Sequence, residues 1–157
     1  MRAAVSAEVK RESDHEHREL SAQEIFDLFV DRFEDVNKPY GISEVHFRQH
    51  NGIIAAATIQ YNGQSREVVA SGNGRLNAVS NALKKQFRLN YDLEVYEEHA
   101  LEKSSSSRAI AYVGVKSGKD GALYWGAGVD VDIIRASIGA MLTAVNNMCN
   151  AEENNIL

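Results

Sequence analysis

Apolar residues fall at Leu76, Val79, Leu83 and Phe87, the i, i+3, i+7, i+11 spacing of a helix with one buried face. Three strand-like runs precede that helix. In the first, Val45, Phe47 and Gln49 alternate with Glu44, His46, Arg48 and His50, the period of a half-buried strand. Ile53 to Tyr61 and Gln64 to Ala70 follow, separated by Asn51-Gly52 and Asn62-Gly63, dipeptides suited to two-residue I′ hairpin turns. The pattern then repeats. Leu93, Val95 and Glu97 alternate with Glu94, Tyr96 and Glu98, and Ala109, Ala111, Val113 and Val115 form one face of the next strand. Ala122 to Trp125 leads to a second helix with Ile134, Ile138, Met141, Val145 and Met148 on one face. A glycine pair precedes each helix, Gly72/Gly74 and Gly126/Gly128, and both pairs read as strand-to-helix turns. An offset of 54 superposes the glycine pairs, and one of 55 lays Val79 on Ile134 and Leu83 on Ile138. The expected fold is α+β: two pseudo-symmetric βββα units of antiparallel strands, at about residues 43–89 and 92–149.

A helix should precede the first unit. Ser21-Ala22-Gln23-Glu24 is a capping box, and Ile25, Phe29, Phe33 and Val36 form a stripe that docks on a sheet. That helix ends before Pro39. Residues 1–20 read as a connecting segment, since Lys10 to Glu19 is a charge run of the kind found in solvated linkers. Asp14, His15 and His17 are metal-ligand types, but neighbours at i and i+2 do not share a helix face, so no metal site is expected there. Lys103 to Ser107 reads as a flexible loop, residues 21–150 as the folded domain, and 151–157 as a fraying tail.

Composition narrows the function. The net charge of -5 argues against a nucleic-acid surface. The single cysteine, Cys149, excludes an internal disulfide framework and reads as packing. No run of 18 apolar residues and no signal region occur, so a cytoplasmic protein without membrane segments is expected. No Ser/His/Asp, P-loop or zinc pattern appears. His46 and His50 fall on the polar phase of a strand, and Glu97, Glu98 and His99 have no nucleophile beside them. The glycine turn offers unpaired first-turn N–H groups to a carboxylate, while alanine-rich strands leave room for an aliphatic side chain. A binding module and a ligand-free dimerisation module both fit. A hydrolase using His46, His50 or His99 is a weaker third reading.

Several motifs in order add a resemblance: Ser71-Gly72-Asn73-Gly74, Tyr96 through Glu98-His99-Ala100, Arg108 to Val113, and Trp125-Gly126-Ala127-Gly128 leading to Ile133-Ile134-Arg135-Ala136-Ser137. Over roughly Ser21 to Asn150 the chain resembles the C-terminal regulatory domain of 2-isopropylmalate synthase, with residues 1–20 similar to the segment ahead of it. The resemblance implies a homodimer that binds leucine as feedback inhibitor near its interface. It also implies a catalytic TIM barrel elsewhere in the parent enzyme, where a divalent metal and acetyl-CoA serve condensation with 2-oxoisovalerate. No part of that barrel is recognisable here, so the chain is expected to be an excised fragment without synthase activity, metal or cofactor. Carried over by motif, the ligand residues are Gly72, Asn73, Gly74, Leu76, Asn77, Leu93, Tyr96, Ala100, Ser107, Ala109 and Ile133. Arg75 stands where many relatives have proline, and Asn77 and Ser107 where small apolar residues are common. Citramalate synthases share this domain and respond to isoleucine, which leaves the effector open between the two amino acids.

Overall fold

The computed structural model describes residues 1–101 and 107–156. Two helices lead, α1 (Arg2–Glu16) and α2 (Ala22–Phe33). The first unit follows as β1 (Tyr40–Gln49), β2 (Ile53–Tyr61), β3 (Gln64–Gly72) and α3 (Arg75–Phe87). The second comprises β4 (Tyr91–Ala100), β5 (Ala109–Ser117), β6 (Leu123–Asp130) and α4 (Ile133–Ile156). Each unit is a three-stranded antiparallel meander, ordered β1-β2-β3 and β4-β5-β6. The two βββα units are therefore as the hydrophobic pattern predicts. α3 covers β3 and β2, α4 covers β6 and β5, and the two helices touch each other. One core joins the layers, with Val79, Leu83, Ile59, Val113, Met141 and Val145 fully buried.

The two units match, but not at one constant offset. Tyr40 and Tyr91 open β1 and β4, and each strand has a bulge, at Ile42/Glu44 and at Leu93/Val95, a difference of 51 throughout (91 − 40, 93 − 42). Buried Ala55 and Ala57 correspond to Ala111 and Val113 at 56 (111 − 55). Gly74 and Asp132, each immediately ahead of its helix, differ by 58 (132 − 74). The difference grows because both hairpin loops of the second unit are longer. The glycine pairs that superpose at 54 are consequently not counterparts.

Their roles differ as well. Gly126 and Gly128 lie inside β6, not in a turn, and face α4. A Cβ on Gly126 would come within 2.6 Å of the Ala144 nitrogen, and one on Gly128 within 2.8 Å of the Ala140 nitrogen as well as striking the Ala136 carbonyl. Ala136, Ala140 and Ala144 repeat every four residues, so one helix edge lies directly on the strand backbone. Gly72 also serves close approach, since a Cβ there would meet the Ala78 nitrogen at 2.6 Å. Gly74 is extended (φ -151°), with nothing within 4 Å of an added Cβ. Neither Gly72 nor Gly74 has a positive φ.

The capping box forms as predicted: Ser21 Oγ accepts from the Glu24 N–H at 3.2 Å, and Glu24 accepts from the Ser21 N–H at 2.7 Å. Asn62-Gly63 makes a two-residue turn between paired Tyr61 and Gln64, with φ 52° and 74°. The first hairpin is one residue longer than expected, since Gln49 pairs with Ile53 across His50, Asn51 and Gly52. The charge run read as a linker lies largely within α1, a helix with no buried residue that packs chiefly against α2. The expected tail is helical through Ile156, held by Ser117 Oγ donating to Glu152 at 2.7 Å and by Lys119 at 3.5 Å from the same carboxylate. Of the expected serine loop, residues 103–106 lie outside the described residues.

Three asparagines of α4 bind the backbone that leads from α2 into β1. Buried Asn146 accepts from the Tyr40 N–H at 3.0 Å and donates to the Val36 and Tyr40 carbonyls at 2.8 Å each. Asn147 donates to the Arg32 and Trp125 carbonyls, and Asn150 to that of Lys38. The Lys38–Pro39 peptide within this segment is cis.

Two substitutions separate close approach from helix propensity. Gly128→Ala should lower unfolding free energy by about 2–3 kcal/mol or more, because the obstructing atoms are backbone. Gly139→Ala, on a helix position where a Cβ meets nothing within 4 Å, should raise it by about 0.5–1 kcal/mol. Urea denaturation of the two variants measures both.

Candidate functional site

The expected ligand residues fall into two groups. Gly72, Asn73, Gly74, Leu76 and Asn77 form the junction of β3 and α3. Asn77 braces it from within: its Oδ1 accepts from the Asn73 N–H at 3.0 Å, and Asn81 donates to the Ser71 carbonyl at 2.8 Å. The polar side chain at position 77 is thus part of the turn. No side chain caps α3, whose first-turn N–H groups are left to an outside acceptor. Arg75 lies with its guanidinium 5.7 Å from the Phe47 ring centre.

The counterpart helix is capped. Asp132 Oδ1 accepts from the Ile134 N–H at 3.0 Å, and Asp130 Oδ1 from the Asp132 N–H at 2.9 Å. Asp132 is thus the cap of α4, and Asp130 braces it from two residues before. One helix start thus carries its own carboxylate, while the other, at Gly74, does not.

The second group lies on the sheet of the second unit. Leu93, Tyr96 and Ala100 pair with Val115, Val113 and Ala109, and Val113 pairs on its other side with Gly126, which faces α4. All four expected residues, Leu93, Tyr96, Ala100 and Ala109, therefore share the α4-facing side. Strict alternation would put Leu93 and Tyr96 on opposite faces; the bulge between Leu93 and Val95 shifts the phase by one and brings them together. Ser107 is half-buried two residues ahead of β5. Tyr96 Oη lies 2.7 Å from Ser137 Oγ and donates to Glu98 at 2.6 Å, and Ser137 donates to the Ile133 carbonyl at 2.7 Å. Tyr96 and Ile133 are joined in this way. Burial, then the bond to Glu98, pushes the Tyr96 phenol above its ordinary pKa.

The two groups occupy different sheets. A cleft of about 670 Å³ lies between β1 and the first half of α4, lined by Ile42, Val45, Phe47, Arg75, Asp132 and Ile138 among others. It borders both helix starts but includes none of the eleven expected residues. A cleft of about 690 Å³ around Pro39, Tyr61 and Asn62 is remote from both groups.

Residues 19–149 match the family described as the LeuA allosteric (dimerisation) domain. The chain belongs to that family. Among similar proteins, 2-isopropylmalate synthase of Desulfitobacterium hafniense is 39% identical over 148 residues, covering 94% of this chain and 26% of the relative. The enzyme of the same name from Helicobacter hepaticus is 34% identical over 149 residues (89% and 26%), and that from Clostridium acetobutylicum 32% over 145 (88% and 26%). The chain spans about a quarter of the length of these curated relatives.

Other candidate chemistry gains no support in this LeuA-type domain. His46 and His99 are exposed, beside Glu44 at 2.9 Å and Glu97 at 4.0 Å respectively. Among the described residues no group of three His, Cys, Asp or Glu is placed to hold a metal, and no helix is long and apolar enough to cross a membrane. Burial pushes the Cys149 thiol up to about 11, which keeps it protonated and unreactive at neutral pH. Two partners of Tyr96, Ser137 and Glu98, escape a linear reading, but the cap Asp132 does not. The first two require the bulge register, whereas an aspartate before an apolar helix is a cap signal in its own right. Asp132→Ala should cost about 1 kcal/mol by removing the bond to the Ile134 N–H, read by chemical denaturation.

Proposed function

We propose that this domain is the leucine-sensing part of a 2-isopropylmalate synthase, binding leucine as feedback inhibitor at a homodimer interface. The observation that carries the reading is the uncapped start of α3 at Gly74, opposed to the Asp132 cap at the same place in the other unit. A free helix start presents N–H donors and a partly positive end to a carboxylate. Leu76 beside it, and the face formed by Leu93, Tyr96, Ala100 and Ala109, offer apolar surface for an aliphatic side chain. Ile133 and Ser107 border that face.

A second copy is the natural cover. Tyr96, Leu101, Val131 and Ile133 are large apolar residues left exposed where β4 ends and α4 begins. Burying them against a symmetry mate would also enclose the ligand. Leucine then favours one packing of the dimer, and α1 and α2 pass that bias to the catalytic barrel of the full-length enzyme, where metal and acetyl-CoA bind. The domain itself carries no catalytic role.

A thermal melt with leucine, isoleucine, valine and 2-oxoisovalerate in turn tests this. A ligand at 100 times its dissociation constant adds about 2.7 kcal/mol, roughly 5–10 °C for a chain of this size. Leucine alone should produce the shift. A response confined to isoleucine assigns the domain to a citramalate synthase, and a folded dimer that ignores all four is a structural module. Gly74→Asp should fold with unchanged or slightly raised stability, since the site has room for a side chain and aspartate is a favoured cap. Its own carboxylate should occupy the N–H groups and abolish the leucine shift; a variant that titrates like the unmodified chain places the site elsewhere.

A further inference from the structure

Glu98 is the one acidic residue of the Glu97-Glu98-His99 run that the bulge turns toward α4. Its partner across the sheet is Ala111, which pairs in turn with the α4-facing Gly128. Glu97 and His99 pair with Tyr112 and Ile110 on the opposite face. Glu98 therefore sits between Tyr96 and Ala100, within the apolar face assigned above to the ligand side chain.

Three carboxylates border this face, and they are not equivalent. Those of Asp130 and Asp132 each bind a backbone N–H at the start of α4. Glu98 binds no backbone group: its Oε2 accepts from Tyr96 Oη, and among the described residues Oε1 has no hydrogen-bond partner and no cation pairs with it. Tyr96 is itself positioned by Ser137 of α4. Among the described residues, the result is a carboxylate held by a phenol on the face it shares with Ala100 and Ala109, with no cation paired to it. The fold does not require it, since the counterpart in the first unit, at a difference of 51 (98 − 47), is Phe47.

We propose that Glu98 accepts the ammonium group of the bound amino acid and, oriented by Tyr96, makes the site select α-amino acids over 2-oxo acids of the same carbon skeleton. The inference rests on the leucine reading above. With the carboxylate at the start of α3, an α-amino acid still has an ammonium to satisfy, and among the described residues Glu98 is the carboxylate on the second group of site residues with an oxygen left to accept from it. A 2-oxo acid would turn a carbonyl oxygen toward the same carboxylate and be repelled. Such discrimination suits a sensor in a cell that also contains the oxo acid of identical shape.

Isothermal titration calorimetry of the intact chain with leucine, 4-methyl-2-oxopentanoate and 4-methylpentanoate tests the assignment. Glu98→Gln should weaken leucine by about 10- to 100-fold, the range of a lost charge-assisted hydrogen bond, with an unaltered melting temperature in the absence of ligand. The same variant should bind the two analogues as well as the unmodified chain or better, so that the preference for leucine collapses; analogue binding seen only in the variant is the same result. Tyr96→Phe, which keeps the carboxylate but frees it, should reduce the preference by a smaller factor. Equal weakening of all three ligands by Glu98→Gln would mean that Glu98 only shapes the strand, and undiminished leucine binding would remove it from the site; either overturns the assignment and leaves the leucine reading intact. Absence of leucine binding by the unmodified chain overturns both.

Discussion

The structure depends on how closely α4 approaches β6. A helix with bulky residues on its sheet-facing edge would stand about 10 Å off the strands; here alanines at four-residue intervals face two glycines, and backbone meets backbone. That approach fixes the height of α4 above its sheet, and much else follows. It brings Ser137 within reach of Tyr96, sets the start of α4 beside the exposed end of β4, and carries the asparagines of the helix to the backbone entering β1. It also explains the burial of Thr143 and Asn146, polar residues tolerated there because every buried side-chain polar atom among the described residues has a partner.

The repeat supplies a comparison within one molecule. Both units have the same strand order, the same bulge in the first strand and the same position immediately ahead of the helix. They differ at chosen points: glycine against aspartate before the helix, and phenylalanine against glutamate on the bulged strand. Shared features are those that the architecture needs. Departures mark where one unit has been adapted, and both fall at the helix start and strand face that the proposed ligand would use.

Much of this was legible in the sequence. The helical stripe of Leu76, Val79, Leu83 and Phe87, the capping box at Ser21 and the Asn62-Gly63 turn each have a local cause, so local reading suffices. The register of the repeat was not legible, because two loop lengthenings displaced equivalent residues by successive amounts and an accidental glycine match lay between them. Nor was the role of Gly126 and Gly128, since a glycine under a helix and a glycine in a turn look alike along the chain. The bulge at Leu93 defeated alternation: it hid that Leu93, Tyr96, Glu98 and Ala100 share a face. The motif resemblance grouped three of these four as ligand residues without reference to geometry, and Glu98 was weighed only for acid–base chemistry, with no nucleophile beside it.

The asparagine row of α4 bears on how this domain can change over time. Its contacts to residues 32, 36, 38 and 40 go to main-chain atoms, which are the same whatever side chain is attached. The grip is therefore blind to the sequence it holds. The segment between α2 and β1 is free to drift, adapting its outward side chains to whatever lies against them, while the domain keeps its attachment to the helix unchanged. Variation can accumulate on one partner of the contact, and constraint concentrates on the other.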